Sequence, residues 1–332
     1  MIAQLDSSYI KIRPWKLWNR MISYALFEGR PVTTRGRWIN PLVFAHFAVE
    51  KRLAIQKKIE KPVFILGTGR SGTTILGVVL SMHRDVGFLN EPKALWHAIH
   101  PGEDLVGSYS RNHAHYRLNA SDASDSVIQS AHRIYGMYLS VSFSRRVIDK
   151  YPELIFRVPF VKAIFPDAKF IFLTRNGWDT CQSIVDWSKH KGRISGKETH
   201  DWWGVNQRKW RLLTSEIVKD HSDLSPYASE MATWVHQANM AAVEWIVTMR
   251  EGLSLLQQFP DDIHLVKYET LCSEPQKTMT QILEFLELDQ NDSQFFQYVN
   301  ATLHPTAAKD SYALNQAIRK PFRETMRALG YL

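Results

Sequence analysis

Two short runs hold the residue types best suited to grip an anionic ligand. The first is Gly67-Thr68-Gly69-Arg70-Ser71-Gly72-Thr73-Thr74, between the apolar VFIL (63–66) and the helix-patterned ILGVVLSMH (75–83). Glycines let a backbone wrap an anion with its amide N–H groups pointing inward, and a following helix adds favourable potential at its N-terminus. Thr73 and Thr74 add hydroxyl donors. The spacing of Gly67 and Gly72 copies a phosphate loop, but Thr73 stands where an ATP-binding loop needs lysine. The cation has moved inside the loop, to Arg70. That displacement argues against an ordinary nucleoside-triphosphate site.

The second run is Arg175-Asn176-Gly177-Trp178-Asp179-Thr180-Cys181-Gln182-Ser183, which begins as the apolar KFIFLT (169–174) ends. If KFIFLT is a strand parallel to VFIL, Arg175 and Ser183 lie at the same carboxyl edge as the first loop. Two anion-binding corners on one edge suit a ligand with two separated phosphates. An ion pair with Asp179, one helical turn on, is the competing use of Arg175.

The elements that must position these residues follow from apolar patterning. VFIL and KFIFLT read as buried parallel strands, as do LIFRVPF (154–160) and HLVKY (264–268). Residues 127–150, 227–258 and 275–287 carry helical spacing. Strands alternating with helices predict an α/β fold, with a P-loop-like three-layer arrangement around a central parallel sheet. The polar, histidine-bearing stretch 97–126 predicts an irregular excursion covering the substrate. We divide the chain into a helical arm, 1–60, and a main domain, 61–332.

The motifs in order resemble the PAPS-dependent sulfotransferase family, enzymes that use 3′-phosphoadenosine 5′-phosphosulfate (PAPS). GTGRSGTT and FLTRNGWDTCQS are similar to that family's two signatures. Arg157-Val158-Pro159 precedes FPDAKFIFLTR where the family has Lys-x-Pro, so the role of Arg157 stays open. VKYETL (266–271) and FLEL (285–288) match further elements. The resemblance implies that residues 67–74 hold the 5′-phosphosulfate and that Arg175 and Ser183 hold the 3′-phosphate. It implies Arg70 as an electrostatic clamp and Glu91, just after GFLN, as the base for an acceptor hydroxyl. His97 and His100 are rivals for that base, since histidine titrates near neutrality. Glu91 could instead be an N-terminal helix charge before Pro92. Trp178, Trp210 and Trp234 are candidates to stack on adenine, and Leu303–Tyr312 to close over the nucleotide.

No metal is expected: His113-x-His115 is the only pair with ligand-like spacing and reads as a polar loop. The net charge of +8 sits almost wholly in residues 1–60, where eleven Lys and Arg face four acids. There Lys11, Arg13, Lys16 and Arg20 interleave with Trp15, Trp18, Ile22 and Leu26 at helical spacing. Such an arm suits an anionic membrane surface, or a helix docked on its own domain with its basic residues in water. A second helix is expected from Asn40-Pro41 through LVFAHFAVEKRLAIQKKI. No nucleic-acid motif accompanies the charge. Two cysteines, no signal-peptide pattern and no long apolar run predict a cytoplasmic protein, peripheral at most on the inner face of the membrane. The sequons at Asn119, Asn291 and Asn300 are then chance. The predicted activity is sulfuryl transfer from PAPS to a hydroxyl acceptor, carbohydrate or lipid-linked. The alternatives are an ATP-dependent small-molecule kinase and a non-catalytic membrane-surface scaffold.

Overall fold

The computed structural model describes residues 4–30, 36–53 and 57–332. Its main sheet is built from β1 (Val63–Leu66), β2 (Val86–Asn90), β3 (Arg146–Lys150) and β4 (Lys169–Thr174). A small antiparallel sheet follows, of β5 (Arg193–Ser195), β6 (Glu198–Asp201) and β7 (Gly204–Val205), and β8 (Ile263–Lys267) completes the main one. The main sheet is parallel throughout, in the order β2-β3-β1-β4-β8. The chain leaves β1 towards β2 on one side and leaves β4 towards β8 on the other. The carboxyl ends of these two central neighbours therefore open a crevice, where ligands bind in sheets of this kind.

Side chains alternate strictly across the sheet. Phe64, Leu66, Phe170 and Phe172 enter one core, while Val63, Ile65, Ile171 and Leu173 enter the other. Helices cover both faces, which is why the strands read as continuous apolar runs. Gln237–Gln258 packs so closely on the first face that a Cβ at Gly252 would stand 2.1 Å from the Phe172 ring. Pro275–Phe285 and Ser293–Thr302 bury Ile282, Leu283, Phe295 and Tyr298 in the second core.

Two expected elements change type. LIFRVPF is not a strand: Pro152–Arg157 forms a 3-10 turn and Val158–Ile164 a helix, each with a proline in its first turn that cannot donate to a sheet ladder. An apolar run buried on every side does not distinguish helix from strand. The helix expected over 127–150 ends at Val141, and Arg146–Lys150 is β3. With Asp149 and Lys150 in it, RVIDK lacks the continuous apolar run of a buried strand. Both are partnered: Trp96 and Tyr135 donate to Asp149, and Lys150 donates to Glu91. Burial pushes the Asp149 carboxyl up to about 7, and the two donors oppose it.

The arm inverts the expected polarity. Lys16 is 0% exposed and Arg20 1%, with Arg13 buried beside them. β2 is an edge strand, and these cations serve its unpaired groups: Lys16 Nζ donates to the Val86 carbonyl at 2.6 Å and Arg20 to the Phe88 carbonyl at 2.5 Å. Glu28, which pairs with Arg20 at 2.8 Å, accepts from the Asn90 amide at 2.9 Å. Side chains thus stand in for a sixth strand, a way of blunting an exposed edge. Arg13 also reaches the Met82 carbonyl and pairs with Asp292. The second helix runs Asn40–Glu50; residues 54–56 of its expected extent lie outside the described residues. No described helix is long and apolar enough to cross a membrane.

Candidate active site

The first loop leaves β1 with Gly67 at φ 142°, where a Cβ would lie 2.5 Å from the Leu173 carbonyl oxygen. Gly72, at φ 100°, lies so close to the Tyr268 ring that a Cβ would sit 2.3 Å from it. Neither position admits a side chain. Ser71 Oγ donates to the Thr68 carbonyl at 2.6 Å, closing the turn, and helix Thr73–Ser81 starts directly afterwards. Thr68 Oγ1 is buried and without a partner. Arg70 adopts φ 71°, a left-handed conformation unfavourable for a β-carbon-bearing residue.

The second loop meets the first. Arg70 Nε donates to Ser183 Oγ at 3.3 Å, and Arg175 Nη1 donates to the Arg70 carbonyl at 3.4 Å. Arg175 lies over the Tyr268 ring at 4.4 Å, with Asp179 3.8 Å away. The ion pair with Asp179 therefore forms only loosely, and Arg175 Nε is buried with no partner. Two guanidiniums side by side, one with an unsatisfied buried donor, form a corner suited to an anion.

Both corners open on one cavity of about 450 Å³, whose wall also includes Glu91, Lys150 and Trp202. Sheet register explains the far side: Asn90 pairs with Lys150, so Glu91, the next residue, turns back onto the end of β3. Glu91 sits at φ 49°, its amide donating to the Lys150 carbonyl at 2.7 Å and its carboxylate accepting from Lys150 Nζ at 2.5 Å. Burial raises the Glu91 pKa, but Lys150 and Lys93 outweigh it and hold the carboxyl below its ordinary value. Glu91 is thus ionised at neutral pH.

A chain of alternating charges continues from it. Lys93 lies 3.7 Å from Glu91 and 3.8 Å from Glu153, and Lys209 lies 3.1 Å from Glu153 and 2.6 Å from Glu244. Trp202 Nε1 donates to Glu244 at 2.6 Å, and a Cβ at Gly69 would stand 2.4 Å from the Trp202 ring. The chain therefore returns to the first loop. Sequence reading missed Lys93, Lys150, Glu153, Lys209, Glu244 and Trp202. The strand RVIDK ending in lysine was the one available signal.

Other expected residues lie elsewhere. His97 packs between Phe44 and Tyr109, and His100 against Phe160; neither lines the cavity. Trp210 is buried beside Trp203 and Trp234, and Trp178 packs on Tyr312 and Phe322. The aromatic pair on the cavity wall is Trp187 and Trp202, edge-to-face at 5.4 Å. Trp187 is one helical turn beyond Ser183, a spacing that could have singled it out. Arg157 is buried, pairs with Glu103 at 3.1 Å and donates to the Tyr116 and His115 carbonyls. It anchors the stretch after residue 100, of which Val106 and Ser108 reach the cavity. The 97–126 excursion is less irregular than expected, since Lys93–Ile99 is helical and Asp104 caps the amides of Ser108, Tyr109 and Ser110. Leu303–Tyr312 runs along helix Gly177–Lys191, with the Lys309 amide donating to Asp179 at 2.7 Å. His113 and His115 pair at 4.5 Å, but no group of three or more metal-ligating side chains gathers among the described residues.

Comparison with known proteins finds similarity to sulfotransferases. Residues 62–223 match the model of the sulfotransferase family. It is 26% identical over 234 residues to a protein-tyrosine sulfotransferase of Drosophila melanogaster, and 25% identical over 235 residues to protein-tyrosine sulfotransferase 1 of Danio rerio. These stretches cover 70% of this chain but only 39% and 54% of those two proteins. A sulfotransferase structure from Mycobacterium avium superposes with a TM-score of 0.49 and 15% identity, over 95% of this chain and 85% of that one.

Proposed function

We propose that the chain transfers a sulfuryl group from PAPS to an acceptor hydroxyl. The observation that carries this reading is the meeting of Arg70, Arg175, Ser183 and Glu91 around one cavity, where Arg175 carries a buried and unpartnered Nε. Residues 67–74 hold the 5′-phosphosulfate; Arg175 and Ser183 hold the 3′-phosphate. The donor fits these groups because its two phosphate ends need two separated sets of donors.

In the reaction the acceptor oxygen forms a bond to sulfur as the bond from sulfur to the 5′-phosphate oxygen breaks. Negative charge gathers on that leaving oxygen. Arg70 and the loop amides stabilise it in place, with no reorganisation at the moment of transfer. Arginine keeps its proton throughout, so Arg70 is a clamp and not an acid. Glu91 takes the acceptor proton. Lys150 and Lys93 keep Glu91 ionised, and Lys150 lines the same cavity as Arg70 and shares in neutralising the leaving group. The positive charge supplied by these side chains leaves no step that calls for a metal.

The acceptor is a hydroxyl on a carbohydrate or a lipid-linked group, presented near Trp187 and Trp202. Residues 1–60 meet an anionic membrane surface, and the protein works as a cytoplasmic enzyme peripheral at the inner face. The test is calorimetric titration with 3′-phosphoadenosine 5′-phosphate (PAP), ATP and ADP, on the wild type and Arg175→Ala. Micromolar binding of PAP alone, lost in the variant, is expected. Equal or tighter binding of ATP would overturn the donor assignment.

A further inference from the structure

The polarity of the arm leaves an unusual surface. Nine of the fifteen large apolar side chains left exposed among the described residues lie between Ile10 and Leu53. Trp18 is 60% exposed and Trp38 79%. Their spacing is regular: Lys11, Trp15, Trp18 and Met21 face outward, while Tyr9, Arg13, Lys16 and Arg20 face the domain. Helix Asn40–Glu50 repeats the pattern, burying Val43, Phe47 and Glu50 and turning out Leu42, Ala45 and Val49. Soluble surfaces scatter single apolar residues; a concentration in one stretch of the chain marks a docking face.

The charges around it select the partner. Glu28 and Glu50 are buried, Asp6 is half-buried and Glu60 is exposed beside Lys58, whereas Lys11, Arg37 and Arg52 are exposed, so the outer side of the arm presents more cations than acids. Tryptophan suits the boundary between headgroups and acyl chains, and nearby cations suit anionic lipid phosphates.

We propose that this face seats in the headgroup layer of an anionic bilayer by insertion of Trp15, Trp18 and Trp38, with Lys11, Arg37 and Arg52 contacting lipid phosphates. The inference rests on the membrane-surface reading but reverses its physics: the buried cations Arg13, Lys16 and Arg20 take no part, and apolar insertion dominates over charge. The same arm reaches the reaction cavity, since Gln4 and Asp6 line it. Docking and chemistry therefore share one element.

Flotation of the full chain with vesicles of phosphatidylcholine, alone or with phosphatidylserine, tests this. Three proteins are compared: the wild type, a Trp15→Ser/Trp18→Ser/Trp38→Ser variant and a Lys11→Gln/Arg37→Gln/Arg52→Gln variant. The wild type should bind both vesicles, more tightly the anionic ones; the tryptophan variant should bind at least about tenfold more weakly to both. The charge variant should lose only the preference for phosphatidylserine. Thermal melts must show both variants folded, as expected for exposed sites. Three results would overturn the inference: no flotation of the wild type, flotation of the tryptophan variant like wild type, or a wild-type dimer in sedimentation that the tryptophan variant dissociates, meaning that a second copy covers the face. Binding dependent on the charge triplet alone would leave the simpler electrostatic reading standing. PAP titration on the same preparations separates the surface from the reaction, since loss of vesicle binding with intact PAP affinity sinks only the former.

Discussion

Arg70 and Glu91 are both held in left-handed backbone conformations that side-chain-bearing residues disfavour. Such strain costs on the order of 1–3 kcal/mol per residue and persists where the surroundings impose it. Arg70→Gly should therefore raise the stability of the ligand-free protein by about 1 kcal/mol, read in denaturant unfolding. The same substitution should cut transfer by about a hundredfold or more, because a fixed donor at the leaving oxygen is gone. Glu91→Gln should slow turnover about a hundred- to ten-thousandfold while leaving PAP affinity unchanged; full turnover would remove Glu91 from the reaction. The pH profile gives a separate handle. Because Lys150 and Lys93 hold the Glu91 carboxyl below 4.5, the wild-type acid limb of kcat/KM should fall below that pH. Lys150→Met removes the largest attraction and should move the limb upward, towards neutrality, along with a fall in rate. An unmoved limb would mean that another group titrates there.

At the scale of elements, the decisive unit is the edge strand β2 with the arm laid along it. Arg20 bonds both Glu28 and the Phe88 carbonyl inside the protein. Removing it as Arg20→Met leaves Glu28 buried without that ion pair and should cost about 3–5 kcal/mol in equilibrium unfolding. The double variant Arg20→Met/Glu28→Gln should recover part of that loss. The second unit is the helix over β4. Gly252→Leu drives a side chain into the Phe172 ring and should destabilise by at least about 1–3 kcal/mol.

Across the whole molecule, the most informative titration is Lys16. Burial, with Arg13 adding repulsion, lowers its pKa to about 7, against an ordinary 10.5. Between those values the unfolded chain binds the proton and the folded one does not, so folding stability rises with pH from about 7 towards 10.5. Below 7 both states are protonated and the contribution of Lys16 is flat. Lys16→Met should remove that rise from a plot of unfolding free energy against pH. An identical slope in the variant would assign the rise to other groups.

The sequence by itself determined the parts whose chemistry is local. VFIL and KFIFLT form β1 and β4 as read, because a short apolar run ended by glycine or a charged turn has few other structures open to it. Gly67, Gly72 and Arg70 specify the loop after β1 through backbone conformation, and the positions of Arg175 and Ser183 follow from the spacing of one strand and one helix. Tertiary structure decided whatever depends on which surfaces meet. Arg13, Lys16 and Arg20 read as solvent-facing because nothing in the chain announces that β2 will be an edge whose carbonyls need donors. Lys150 became a neighbour of Glu91 through a strand register linking residues 59 positions apart. His97 and His100 left the site because the helix carrying them turns that face towards Phe44, Tyr109 and Phe160. Trp187 and Trp202, rather than Trp178, Trp210 or Trp234, reached the cavity because packing, not residue type, settles which of eleven tryptophans faces a ligand.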